Sequence, residues 1–189
     1  MTALTITNDI LSICDAHGID EVGACSISQV AHDETCEKLN GLMPGVSTVL
    51  VVLKRVVDNG IERAHDILYQ KAALQTFDVL CAACEAIISH STAFGLKAFW
   101  PGRQKTPFQK DLAIAAGLGS RSICGLFISH QQGIDVHLET VLLGFQLQIN
   151  QKNKQPVYVC DACGLCLDAC PAGALDGNVG VPSAAVCDG

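Results

Sequence analysis

The sequence predicts a three-layer α/β or α+β body, a sheet covered by helices, with a small cysteine-rich module at its C-terminal end. Three observations predict it. Thr48–Val57 is a near-continuous β-branched run, as suits a central strand buried on both faces. Residues 61–94 keep a long helix-like apolar stripe. Four cysteines crowd into residues 160–170, set off from the body by the polar stretch Gln151–Gln155.

Taken in order, residues 7–17 carry helical periodicity through Ile10, Leu11, Ile13 and Cys14, with Thr7 or Asn8 as N-cap and His17-Gly18 as the stop. Glu21–Ile27 reads as a short strand, 31–40 as a polar helix and Met43-Pro44-Gly45 as a turn into the central strand. Asp58-Asn59-Gly60 breaks the chain before the long stripe, which runs through Ala64, Phe77, Leu80, Cys84 and Ile87 and ends at Gly95. Leu96–Trp100 reads as a strand, and Pro101–Pro107 as a loop holding Arg103 and Lys105. Phe108–Ala116 is a helix that closes on Gly117-Leu118-Gly119-Ser120. Ser122–Ser129 and Ile134–Leu143 read as two strands joined by His130–Gly133 into a hairpin, with Phe145–Ile149 extending the second. No internal repeat or low-complexity segment is present.

With 49% hydrophobic and 16% charged residues among 189, the chain has ample material for a core and fits one ordinary domain with an appendage. A net charge of −7 and a pI near 5.2 argue against a phosphate-tracking surface, so nucleic acid is not expected as a partner. No stretch approaches 18 apolar residues without a charge or strong polar break, so no membrane span is expected. The first residues lack the basic flank and apolar core of a signal peptide. Eleven cysteines in such a chain point to a reducing, cytoplasmic setting and to metal or redox use.

Cys160, Cys163, Cys166 and Cys170 are spaced C-x2-C-x2-C-x3-C, followed directly by Pro171. That is the bacterial-ferredoxin pattern for an iron–sulfur cluster. Three thiolates two residues apart, on a loop relieved by Gly164, turn inward onto one [4Fe–4S] cubane. Zinc is the alternative, but it usually takes two separated pairs. Cys81 and Cys84 form another C-x2-C, on a helical apolar stretch where buried thiols pack like small hydrophobes. Cys14, Cys25, Cys36 and Cys124 are isolated and take the same packing reading.

Several stretches together resemble one superfamily. They are Ile19-Asp20-Glu21-Val22-Gly23, Leu42-Met43-Pro44-Gly45 before a Val-rich strand, Asp111–Gly119 ending in Ala-Gly-Leu-Gly, and Gly125-Leu126-Phe127-Ile128-Ser129. The cysteine run followed by Ala172-Gly173-Ala174-Leu175 completes the series. In this order they resemble the epoxyqueuosine reductase and reductive dehalogenase superfamily of iron–sulfur, corrinoid-dependent reductases, over essentially the whole chain. The resemblance implies a nitroreductase-like body that cradles cobalamin, with FMN the less favoured cofactor, and a ferredoxin-like module that feeds electrons to it. It also implies a redox partner such as ferredoxin or flavodoxin and a small-molecule substrate. Nitroreductase-like folds often pair through long helices, which makes residues 61–94 the candidate surface for a homodimer.

The chain departs from that pattern in three ways. Family members carry a second cysteine run, whereas here Cys187 stands alone where the next ligand is expected. Because Cys170 serves the other cluster in a paired run, the first cluster still needs a fourth ligand. Arg103 stands where the family's proton-donating acid is expected, and no Asp or Glu lies between Leu96 and Lys110. The helical-repeat tail that some members use to hold RNA is not in this sequence.

The body's own candidates carry paired readings. Arg103 and Lys105 meet phosphate or propionamide groups of a cofactor, or form a solvated loop. Gly117, Leu118, Gly119 and Ser120 let backbone approach a cofactor, or simply cap a helix and start a strand. His65, His90, His130 and His137 are scattered and suggest no ligand set. The expected organisation is a cofactor-binding body over 1–150 and an iron–sulfur module over 156–189, with Cys160, Cys163, Cys166, Cys170 and Cys187 as ligand candidates. The expected function is electron relay from the cluster to a body cofactor, cobalamin first, for a reduction. The alternative is a non-catalytic electron-transfer protein that has lost the corrinoid site.

Overall fold

The computed structural model describes residues 3–30, 33–56, 66–102, 108–147, 149 and 156–175. In chain order the elements are α1 (Ala3–Ala16), β1 (Glu21–Ser26), α2 (Asp33–Leu42), β2 (Thr48–Arg55), α3 (Asp66–Ala93) and β3 (Ala98–Phe99). There follow α4 (Gln109–Ala115), β4 (Gly119–Arg121), β5 (Phe127–Ser129), β6 (Val136–Leu143) and α5 (Leu165–Asp168). They form two compact units. One holds α1 to α4 with β1, β2, β3 and β6; the other holds β4, β5 and the cysteine run with α5.

The first unit is built on a four-stranded sheet in the order β1-β2-β6-β3, and each of its pairings is antiparallel. That makes the body α+β. The β-branched run of β2 occupies the centre as expected, and Thr48 to Leu53 are all buried. Successive side chains on a strand face opposite ways. Leu50 and Val52 therefore join Val141 and Leu143 of β6 in a core against Ile6, Ile10 and Cys14 of α1 and Leu80, Cys84 and Ile87 of α3. Val49, Val51 and Leu53 face the other way and are equally buried, and α4 lies against β1, β2 and β6.

Several expected boundaries move, each for a packing reason. Helix α1 begins ahead of Thr7, because the buried stripe starts at Ile6 and repeats at Ile10 and Cys14. Thr7 is thus a buried helical residue and not an N-cap. The predicted stop holds: Gly18 adopts φ +67 and His17 Nδ1 lies 2.8 Å from Ile13 O. Strand β1 ends at Ser26, whose N–H donates to Gln29 Oε1 at 2.8 Å and opens a short 3-10 turn over Ile27–Gln29. Phe145–Ile149 does not continue β6. The start of the long stripe, residues 57–65, and the linker at 151–155 lie outside the described residues.

The predicted hairpin of Ser122–Ser129 with Ile134–Leu143 does not form. β5 pairs with β4 in a separate two-stranded sheet, with Gly119 opposite Ser129 and Arg121 opposite Phe127. β6 pairs instead with β2 along its whole length. The run 122–129 contains a turn of its own. Ser122 N–H donates to Leu126 O at 2.8 Å, and Leu126 N–H donates back to Ser122 Oγ at 3.0 Å.

Among the described residues, Tyr69–Ala93 of helix α3 is long and apolar enough to cross a membrane by length and composition alone, which the count of uninterrupted apolar residues did not show. Its Leu80, Ala83, Cys84 and Ile87 are fully buried in the core shared with α1 and the sheet, while Tyr69 and Leu74 are exposed.

One polar pair is set into this core. Glu139 on β6 is fully buried, and the Trp100 indole N–H donates to its Oε2 at 2.9 Å. Replacing Trp100 by phenylalanine keeps an aromatic ring but removes that donor from a buried carboxyl. The expected loss is about 2 kcal/mol in urea unfolding, within the cost of leaving a buried acceptor unsatisfied. An unchanged midpoint would show that the bond contributes nothing net.

Candidate functional site

The cysteine run lies in the second unit, where short-range geometry folds it into a tight loop. Ala162 takes φ +58 and Gly164 φ +82, so two residues of the run are left-handed. Only glycine enters that left-handed region without strain, and the alanine costs about 1 kcal/mol. Asp161 Oδ1 accepts the Cys163 N–H at 3.2 Å. Gly164 then caps α5, on which Cys166 sits. Cys163 is exposed, while Cys160, Cys166 and Cys170 are half-buried.

Cys170 closes the run. Its Sγ accepts the Ala174 N–H at 3.3 Å, which holds the thiol below its ordinary pKa; the N–H groups of Ala172, Gly173 and Leu175 add to the effect. Backbone donors aimed at a sulfur favour its thiolate, the form that binds metal.

Sequence reasoning missed a fifth thiol among the described residues of this unit. Cys124 does not pack as a small hydrophobe. It is half-exposed at the apex of the Ser122–Leu126 turn, with its Sγ 3.1 Å from Ser122 Oγ and in hydrogen-bonding contact with the Cys166 thiol. The Ser122 hydroxyl pulls the Cys124 thiol down, while burial and the Cys124 contact push Cys166 up. The chain entering the run is tied to the same hairpin. His130 O accepts the N–H groups of Val157 at 2.7 Å and Tyr158 at 3.1 Å, and the Tyr158 ring lies over Gly133.

Among the described residues no three His, Cys, Asp or Glu side chains converge on a single-ion site. An iron–sulfur cubane spaces its ligand sulfurs more widely than one ion does. The donor set fits such a cluster: thiols alone, on a short glycine-relieved loop, with backbone N–H groups directed at a sulfur. Cys187 lies outside the described residues.

The body holds an open cavity of about 500 Å³, in the usual range for small-molecule sites. Ala24, Cys25 and Ser26 of β1, Thr48 of β2 and Ala115 to Gly117 at the end of α4 line it. Small side chains with a few hydroxyl and amide groups suit one edge of a flat, amide-rimmed macrocycle or a flavin. The volume is less than a whole corrinoid. Gly117 has φ +76 and caps α4 through its N–H to Ile114 O at 2.9 Å. Leu118 is buried, Gly119 and Ser120 belong to β4, and Arg103 and Lys105 lie outside the described residues.

The remaining body thiols are packing residues. Burial pushes Cys14 up to about 12, with Asp15 adding, and Cys25 up to about 11, with Cys36 adding. Burial raises Cys84 further still, helped by Glu139. Thiols held protonated in this way are poor nucleophiles and poor ligands. Cys81 is only partly buried, so the C-x2-C pair on α3 does not share one buried face.

No family model and no curated protein matches the sequence, but solved structures match the fold. Epoxyqueuosine reductase from Streptococcus thermophilus aligns with a TM-score of 0.64 at 17% identity, over 93% of this chain and 55% of that one. An epoxyqueuosine reductase solved with a tRNA-Tyr stem loop aligns at 0.67 and 15% identity, over 92% and 54%. A catabolic reductive dehalogenase aligns at 0.67 and 16% identity, over 88% and 25%. The chain therefore has the fold of the epoxyqueuosine reductase and reductive dehalogenase superfamily, as the sequence motifs imply. It spans about half the length of the epoxyqueuosine reductases it matches.

Proposed function

We propose that this chain is an iron–sulfur protein of the reductase class that passes single electrons from a [4Fe–4S] cluster to an acceptor held by its body. The observation that carries the reading is the run Cys160, Cys163, Cys166 and Cys170 before Pro171, with Ala162 and Gly164 left-handed between its cysteines. The fold likeness supports it, since one of the matched dehalogenase structures is described as suggesting a mechanism for B12-dependent dehalogenation.

In this reading the run is a ferredoxin-like module and the body a nitroreductase-like cradle. Cys160, Cys163 and Cys166 hold the cluster as thiolates, and the half-buried setting of Cys166 limits water at one corner. Cobalamin is the favoured acceptor and FMN the lesser one. When bound, either supplies the redox chemistry of the reduction. The chain's part is to bind and orient it, through the small residues at the end of α4 and the hydroxyls of Ser26 and Thr48.

The substrate proposed is a small molecule. The tRNA stem loop bound by one matched reductase is the counter-indication. Against it stand the net charge of −7 and the absence of an acid between Leu96 and Lys110. The second reading, a non-catalytic electron carrier, is favoured by that same missing acid.

The test is metal and cofactor content of protein purified without oxygen, with an electron paramagnetic resonance spectrum after reduction. About four irons and four sulfides per chain are expected, together with a shift in the cobalt spectrum when cobalamin is added. Cys163→Ser is expected to lose the iron. Four irons with no response to cobalamin or FMN would leave the electron carrier. Stoichiometric zinc without iron would overturn both readings.

A further inference from the structure

We propose that Cys124 is the fourth protein ligand of the cluster held by Cys160, Cys163 and Cys166. The inference rests on the iron–sulfur reading above and deepens it by naming a ligand outside the cysteine run.

Its ground is the geometry of the second unit. The Ser122–Leu126 turn is locked by a reciprocal pair of hydrogen bonds at 2.8 and 3.0 Å, with Cys124 at its apex. The Cys124 thiol touches Cys166, the third cysteine of the run. This contact joins two segments far apart in sequence, and a second tie holds them together. Val157 and Tyr158, just ahead of Cys160, donate to His130 O just past β5. The hairpin tip and the cysteine loop are thus fastened at both ends.

A cubane needs four ligands, and in a run of this spacing the first three cysteines serve one cluster while the fourth serves the other. Cys170 occupies the fourth place of the run, the one assigned to the other cluster in that division. The vacancy in the first ligand set falls to the thiol already against Cys166. On ligation the Cys124 S–H bond breaks, its proton leaves to water and a sulfur–iron bond forms, with no change of oxidation state. Ligation would draw the two sulfurs apart from hydrogen-bonding contact, and both side chains are partly exposed.

The experiment compares the whole wild-type chain, Cys124→Ser and Cys187→Ser, each loaded anaerobically with ferrous iron and sulfide. The proposal expects about four irons per chain in wild type and Cys187→Ser, and about three in Cys124→Ser, with a three-iron paramagnetic signal after mild oxidation. A readout free of mutagenesis is iodoacetamide labelling of wild type followed by peptide mass mapping. Cys124 is expected to label at least about tenfold more slowly with the cluster bound than without it. Four irons and a wild-type spectrum in Cys124→Ser, or equal Cys124 labelling in the two states, would overturn the proposal and leave the cluster reading standing. A wild-type chain that takes up no iron would overturn both.

Discussion

Replacing Gly119 by valine is expected to destroy the β4–β5 pairing and destabilise the second unit by about 3 kcal/mol, the upper end for forced overpacking. The reason is distance. A Cβ at Gly119 would run into Ile128 O and fall 2.6 Å from the Phe127 ring. One of these is backbone of the paired strand and the other is a buried ring, so neither moves without breaking the ladder that sets Gly119 opposite Ser129. Alanine meets the same contacts, since the clash begins at Cβ. Gly41 on α2 is the matched control. A Cβ there meets nothing within 4 Å, and Gly41→Ala is expected to gain about 0.5–1 kcal/mol from helix propensity. Hydrogen exchange locates the damage: amides of 119–134 lose protection in Gly119→Val, while those of β2 and β6 keep theirs. Full protection of the hairpin in the valine variant would mean the strands do not approach so closely.

The contrast between Gly119 and β2 explains how far the sequence could be read. The body was legible wherever burial follows a period. Thr48–Val57 announced a strand covered on both faces, and β2 is buried from Thr48 to Leu53. The α3 stripe through Leu80, Cys84 and Ile87 marked the face that meets α1. Strand partnership carries no such period. Ser122–Ser129 has the composition of a strand, yet the Ser122 hydroxyl closes a turn within it and leaves only Phe127–Ser129 to pair. β6 was then free to zip along β2, a choice made by tertiary packing. The candidate site divides the same way. Local spacing named the cysteine run, because its ligands lie on one loop. Nothing local singled out Cys124, whose significance comes from a contact with Cys166 across a long sequence separation. A cysteine between Ser122 and Gly125, in a turn with no core to fill, was the one available signal.

The body is also expected to lose stability steeply above about pH 9, because its buried thiols stay protonated in the fold after they have ionised in the unfolded chain. Burial raises Cys14 to about 12 and Cys25 to about 11 from an ordinary value of 9.0, and raises Cys84 as well. Above pH 9 the unfolded state therefore binds fewer protons than the native state. Stability then falls with pH, by about 1.4 kcal/mol per pH unit for each thiol. The contribution is fully present below about pH 9 and is lost as pH rises through 11 to 12. Three such thiols give a slope of about 4 kcal/mol per unit, set against a net stability of about 5–15 kcal/mol for an ordinary domain. Urea unfolding of the metal-free chain between pH 8 and 10.5 measures it. Cys84→Ala separates the thiols from lysine and tyrosine titration. At pH 8 it is less stable than wild type, because a fully buried side chain is truncated. Its stability is nevertheless expected to fall about 1.4 kcal/mol per pH unit less steeply. The curves of wild type and variant then converge as pH rises, whereas parallel curves would show that Cys84 ionises as readily in the fold as out of it.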